Sequence, residues 1–238
     1  MNPSLRHGFL DGQRALGSVW LGTAAVAVLL SVGLAGLMEA QAIGGADSAR
    51  QTELRLLQGA TFGLVVPLFI FCLSSRLGGD LAELLGSRWA RYGADRRSFA
   101  LGRLGFPALA ACVIAALGAV LALGSSIASS DPALALSMGL TTGLWPILAI
   151  AALASASYVT GFAMAQLLGG AFGRGLFLVG DWLLGAGTGV TALPWPRAHL
   201  RALLGGDAVL GMSDLQTSGC LLALALSYTL LYAGKVPR

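Results

Sequence analysis

Long runs without a charged residue alternate with short polar clusters along the chain. Apolar stretches cover residues 15–38, about 54–75, about 104–127 and about 216–234, and the stretch from Ala133 to Leu193 carries only Arg174 and Asp181 as charges. A helix of about 20 apolar residues crosses the ~30 Å hydrocarbon core of a bilayer. Four of these stretches therefore predict one membrane-spanning helix each. The 61 residues of 133–193 have the length for two, with a turn predicted near Gly169 to Arg174. The runs are rich in Ala, Leu and Gly and lack the alternation of barrel strands, and irregular backbone is not viable facing lipid. The pattern predicts an all-α polytopic membrane protein of six transmembrane helices.

Composition excludes the soluble alternative. The chain has 238 residues, 56% hydrophobic and 11% charged, against about 25% charged in an ordinary soluble domain, so residues 1–238 are read as a single transmembrane domain. Arg6 and Arg14 precede the first apolar run, and Ala40-Gln41-Ala42 follows it, as in a cleaved signal. The run of 24 residues is longer than the about 7–15 of a signal core. It is read as a retained first helix, preceded by an interfacial N-terminal segment, 1–14.

Basic residues favour cytoplasmic loops. With the N-terminus inside, eleven of the 15 Lys and Arg fall on inner segments, and Arg50, Arg55, Arg197 and Arg201 on outer ones. That bias predicts both termini inside, and the net charge of +4 suits anionic lipid at the inner leaflet. The basic residues are not interleaved with stacking aromatics, which argues against nucleic-acid binding. Cys72, Cys112 and Cys220 lie in apolar runs without metal-ligand spacing and read as packing residues. No metal site is expected.

The inner loop 76–103 is the most charged segment. Leu77, Leu81, Leu84, Leu85, Trp89 and Tyr92 fall on one helical face, and Asp80, Glu83, Ser87, Arg88 and Arg91 on the other. That periodicity predicts an amphipathic helix beside the membrane, serving either as a topological anchor or as a docking element for a cytoplasmic partner. Asp95 stands where an N-cap would start a new helix, with Arg96 and Arg97 in its first turn. Arginines there oppose the helix dipole, so a lipid phosphate or an acidic partner surface is the better account of them. Asp181 falls within a predicted span, where acidic residues usually face a bundle interior or an aqueous path. Arg174, two turns earlier on the same face, offers a structural ion pair as the rival account.

Three stretches carry a family resemblance: Gly79-Asp80-Leu81-Ala82-Glu83-Leu84-Leu85, then Tyr92-Gly93-Ala94-Asp95-Arg96-Arg97, then Ala100-Leu101-Gly102-Arg103. Together with the order of spans they resemble permease subunits of the type-two class of ATP-binding-cassette exporters. The match is to that family's acidic coupling helix, its short turn and its entry into the third span. Gly93-Ala94-Asp95-Arg96 departs from the turn pattern, and Arg103 stands where the family has lysine. The resemblance implies six spans with both termini inside, a cytoplasmic coupling helix after the second span, and a re-entrant or interfacial extracytoplasmic segment at 194–214. It implies contact of Asp80, Glu83, Arg88 and Arg91 with an ATPase subunit, and anchoring of the third span by Arg96 and Arg97. It further implies a second permease copy or homologue in a bacterial cytoplasmic membrane.

No G-x-x-x-x-G-K-[ST] phosphate loop occurs in the chain. It is therefore expected to lack enzymatic activity, with ATP and Mg held by the separate ATPase. A rhomboid-like protease would need a nucleophile motif that is missing, and His7 and His199, the two histidines, lie outside the predicted spans. A secondary transporter would usually show repeats and several intramembrane charges. That reading and a non-transporting membrane scaffold remain as rivals, and Ala, Leu and Gly linings do not name a cargo.

Overall fold

The fold rests on a computed structural model that describes residues 3–17, 22–24, 26–30, 33, 57–78, 95–128 and 144–236. These residues form helices and short connections, with no strand among them. Helix α1 spans Pro3–Leu16. A π-helical segment, Leu57–Val65, runs into α2, Val66–Gly78; α3 spans Arg96–Ala128, α4 Leu144–Leu184, α5 Pro196–Leu203 and α6 Asp214–Lys235. Among the described residues three helices are long and apolar enough to cross a membrane, Arg96–Leu121, Trp145–Leu184 and Asp214–Lys235, and Thr61–Ser75 is a shorter apolar helix. Half of the predicted first span, and the part of the candidate coupling helix with Asp80, Glu83, Arg88 and Arg91, lie outside the described residues.

α4 is two helices folded into a hairpin. Its 41 residues would reach about 60 Å as a straight rod, twice the hydrocarbon thickness. The helix breaks at Gly169 (φ −141°, ψ 16°) and Gly170 (φ 59°, ψ −142°). A left-handed φ with that ψ is nearly exclusive to glycine, so Gly170 sets the turn where the length of the apolar run predicts one. Beyond the turn the arms lie against each other: an added Cβ on Gly173 would overlap the Ala165 carbonyl, and one on Gly161 would lie 2.5 Å from the Phe177 ring. Small residues at such positions let two backbones approach closely. Pro146 sits in the first turn of the first arm, where its missing N–H costs nothing.

α3 starts at Arg96, inside the predicted inner loop and before the predicted start of the third span at 104. Asp95 caps it: its carboxylate accepts from the Arg97 backbone N–H at 3.1 Å and from the Ser98 hydroxyl at 2.5 Å. Those bonds, the Ser98 hydroxyl first, hold the Asp95 carboxyl below its usual range. A negative cap offsets the repulsion that two first-turn arginines would feel from the helix dipole.

The first turns of α3 are covered by α1. Pro107 stands inside α3 and has no N–H to give to the Arg103 carbonyl one turn back. Gly12 of α1 packs against that carbonyl, where an added Cβ would sit 2.6 Å away. One turn earlier Gly8 meets the Phe99 carbonyl, and Gly102 of α3 meets Leu5. Phe9 and Phe106 stack edge to face, 5.6 Å between centroids. The Gly8-x-x-x-Gly12 spacing thus seats the N-terminal segment in direct backbone contact with α3.

A chain of aromatic rings joins the remaining helices. Phe71 of α2 meets Phe162 of the first arm, Phe162 meets Phe177 of the second, and Phe177 meets Tyr228 of α6 and Trp195 before α5, at centroid distances of 4.9–5.9 Å. Large apolar side chains stand outside: Leu109, Val113, Leu117 and Leu121 form an exposed stripe on α3, and Leu222, Leu226 and Leu230 one on α6. Arg103, Asp181 and His199 are buried. Leucine outside with charge inside reverses the order of a soluble protein and matches helices solvated by lipid.

Candidate functional site

The second hairpin arm, 171–184, is pinned at both ends by buried polar side chains. Near the turn, Arg174 reaches α2, donating from Nη1 to the Phe71 carbonyl at 3.1 Å and to the Ser74 hydroxyl at 3.4 Å. Its guanidinium lies over the Phe71 ring, 5.1 Å from the centroid. Ser74 also donates to the Phe71 carbonyl, so one oxygen is shared by two donors. The ion pair between Arg174 and Asp181 that their spacing suggests is not formed. Both side chains point away from the arm to partners distant in sequence.

Asp181 is fully buried. One carboxylate oxygen accepts from the Tyr158 hydroxyl on the opposite arm at 2.8 Å. The other accepts from the Arg197 backbone N–H at 3.0 Å. Arg197 is the second residue of α5, among the first N–H groups of a helix, which lack intrahelical acceptors. The carboxylate of one helix thereby caps another, and Trp195, the residue in the N-cap position, supplies no side-chain bond of its own. A buried carboxylate with one donor on each oxygen is a satisfied group and holds its two partners at fixed positions.

Two further contacts bind the segment after the arm to the bundle, and two close the segment on itself. Trp195 lies against Gly180, where any Cβ would collide with its ring. Tyr228 of α6 donates its hydroxyl to the Pro194 carbonyl, and Arg201 donates to the Ala186 carbonyl. His199 pairs through Nε2 with the Leu193 carbonyl at 2.8 Å. The segment predicted as a surface or re-entrant element, 194–214, is therefore built around α5 and closed over the end of the hairpin.

The predicted residues separate into groups. Arg96 and Arg97 are in the first turn of α3, half-buried at the α1 end. No hydrogen bond or ion pair among the described residues joins them to Asp181. Asp80, Glu83, Arg88 and Arg91 lie outside the described residues. Sequence reasoning missed Tyr158, although reflecting Asp181 through a turn at Gly169–Gly170 lands on it. It also missed Ser74 and Phe71 as partners of Arg174, for which the chain order gives no signal. No group of three His, Cys, Asp or Glu side chains able to hold a metal occurs among the described residues. The chain matches no protein-family model, no curated protein and no solved structure.

Proposed function

We propose that the chain is the membrane-spanning permease subunit of an ATP-driven exporter, paired with a second permease copy or homologue in a bacterial cytoplasmic membrane. A separate ATP-binding-cassette ATPase holds ATP and Mg, and the loop after α2 couples to it through Asp80, Glu83, Arg88 and Arg91.

The observation that carries this reading is the doubly pinned arm 171–184. Arg174 ties it to α2, which leads into the candidate coupling segment, and Asp181 ties it to α5. The arm is about 21 Å long, too short to span ~30 Å of hydrocarbon alone. The segment around α5 supplies the remainder, as expected of a broken hairpin before a last span. A push on α2 is thus delivered by one rigid arm to the segment that closes its far end. Asp181 supports an exporter over an ion-coupled transporter, because both its oxygens are engaged by the protein's own donors.

The test is purification of the tagged chain in mild detergent, with mass spectrometry of its partners and an ATPase assay on the eluate. A stoichiometric Walker-motif ATPase is expected. Repeated absence of one contradicts the reading and favours a secondary transporter or a scaffold.

A further inference from the structure

Arg103 is the largest fully buried side chain among the described residues. Its one ionic partner among the described residues is Asp11 of α1, whose Oδ2 lies 3.4 Å from Nε. That separation is beyond ordinary N–H···O bonding. Among the described residues Nη1 and Nη2 have no hydrogen-bond partner, and neither does Asp11 Oδ2. Buried donors are almost always satisfied, and a guanidinium presents five in a fixed fork.

We propose that Arg103 is a binding site for a phosphate group at the α1 end of the bundle, with Asp11 as its built-in competitor. The two free Nη groups are spaced to receive two oxygens of one phosphate, a pairing stronger than a single long contact to Nε. The Asp11 side chain is 25% exposed while that of Arg103 is 1% exposed, so the carboxylate is the open side of the pair. Displacing Asp11 opens the Nε side, and the guanidinium, whose Nη atoms are covered in this structure, turns its fork to the phosphate. Arg6 and Arg14, exposed on α1, make the approach positive. The phosphate comes either from the headgroup of an amphiphile or from a free phosphate ion. The site stands apart from the exporter reading, since its occupancy needs no ATPase.

Native mass spectrometry of the full chain in maltoside micelles containing either phosphatidic acid or diacylglycerol measures it, because these lipids differ only in the phosphate. The wild type is expected to retain phosphatidic acid over diacylglycerol. Arg103→Lys keeps the charge but loses the fork, and should reduce that preference about tenfold. Asp11→Asn should raise it by removing the competitor while leaving Arg103 intact. Loss of the lipid on adding inorganic phosphate shows that the free ion suffices; retention shows that the headgroup of an amphiphile is the ligand. An unchanged preference in both variants, or a loss in Asp11→Asn, overturns the proposal and leaves Arg103 and Asp11 as a structural pair.

Discussion

Asp181 and Tyr158, on opposite arms of the α4 hairpin, share a hydrogen bond of 2.8 Å that fixes the distance between the arms beside the point where α5 begins. Tyr158→Phe should remove one donor and leave a buried carboxylate oxygen bare, lowering stability by about 1–2 kcal/mol. Asp181→Ala should cost more, because the Arg197 N–H is orphaned as well. Thermal unfolding of the purified variants measures both. In a double-mutant cycle the two changes should be non-additive, as expected of residues in contact.

The two turn glycines should respond differently to alanine. Gly169 has open space around it and a φ that any residue adopts, so Gly169→Ala should be near neutral. Gly170 also has open space but a φ of 59°, so Gly170→Ala should cost about 1–2 kcal/mol from backbone strain alone. Gly173→Ala should be worse than Gly169→Ala for a steric reason, the Ala165 carbonyl. Melting temperatures of the three variants give the order.

Seating of α1 should depend on Gly8 and Gly12. Alanine at either position meets α3 backbone that has no flexible end to yield, and overpacking of this kind costs about 1–3 kcal/mol. Limited proteolysis should cut the N-terminal segment faster in Gly8→Ala than in the wild type, while the membrane-extracted remainder stays folded.

Asp95 predicts a local pH dependence. Its pKa is lowered in the folded protein, so its contribution is fully present above the unfolded value of about 3.8 and is lost as pH falls through the lower folded value. Amide exchange protection at Arg97 to Phe99 should therefore hold at pH 5 and above and weaken in more acidic buffer. Asp95→Asn, which retains a capping oxygen, should remove that pH dependence.

Charge reversal at both Asp80 and Glu83 should leave the protein inserted and the hairpin intact but reduce recovery of the ATPase. Normal recovery and normal ATP turnover in that variant would remove the coupling role from 79–85.

The length of the uncharged run predicts the hairpin and its turn, because hydrocarbon thickness limits how far one helix can continue. Asp181 stands out for a similar reason, as a carboxylate within an apolar stretch. Its partners were not legible to the same degree. A spacing of seven suggests Arg174, yet the folded arms place Tyr158 and α5 nearer, and tertiary contacts outcompete the same-face rule. The start of α3 is legible in Asp95 as an N-cap ahead of Arg96 and Arg97, but the burial of Arg103 two turns further on is not, until α1 is seen covering it. Gly8 and Gly12 carry that docking, but with 34 glycines in the chain their spacing has no contrast.

The central claim is that the segment around α5 is held closed on the hairpin by Asp181 and must be released in each transport cycle. Asp181→Ala removes the carboxylate that holds the first turn of α5 on the arm. In the assembled complex, adding ATP should raise amide exchange across residues 197–203 in the wild type, whereas Asp181→Ala should show raised exchange without ATP and no further response to it. The same ATP response in both proteins would contradict the account.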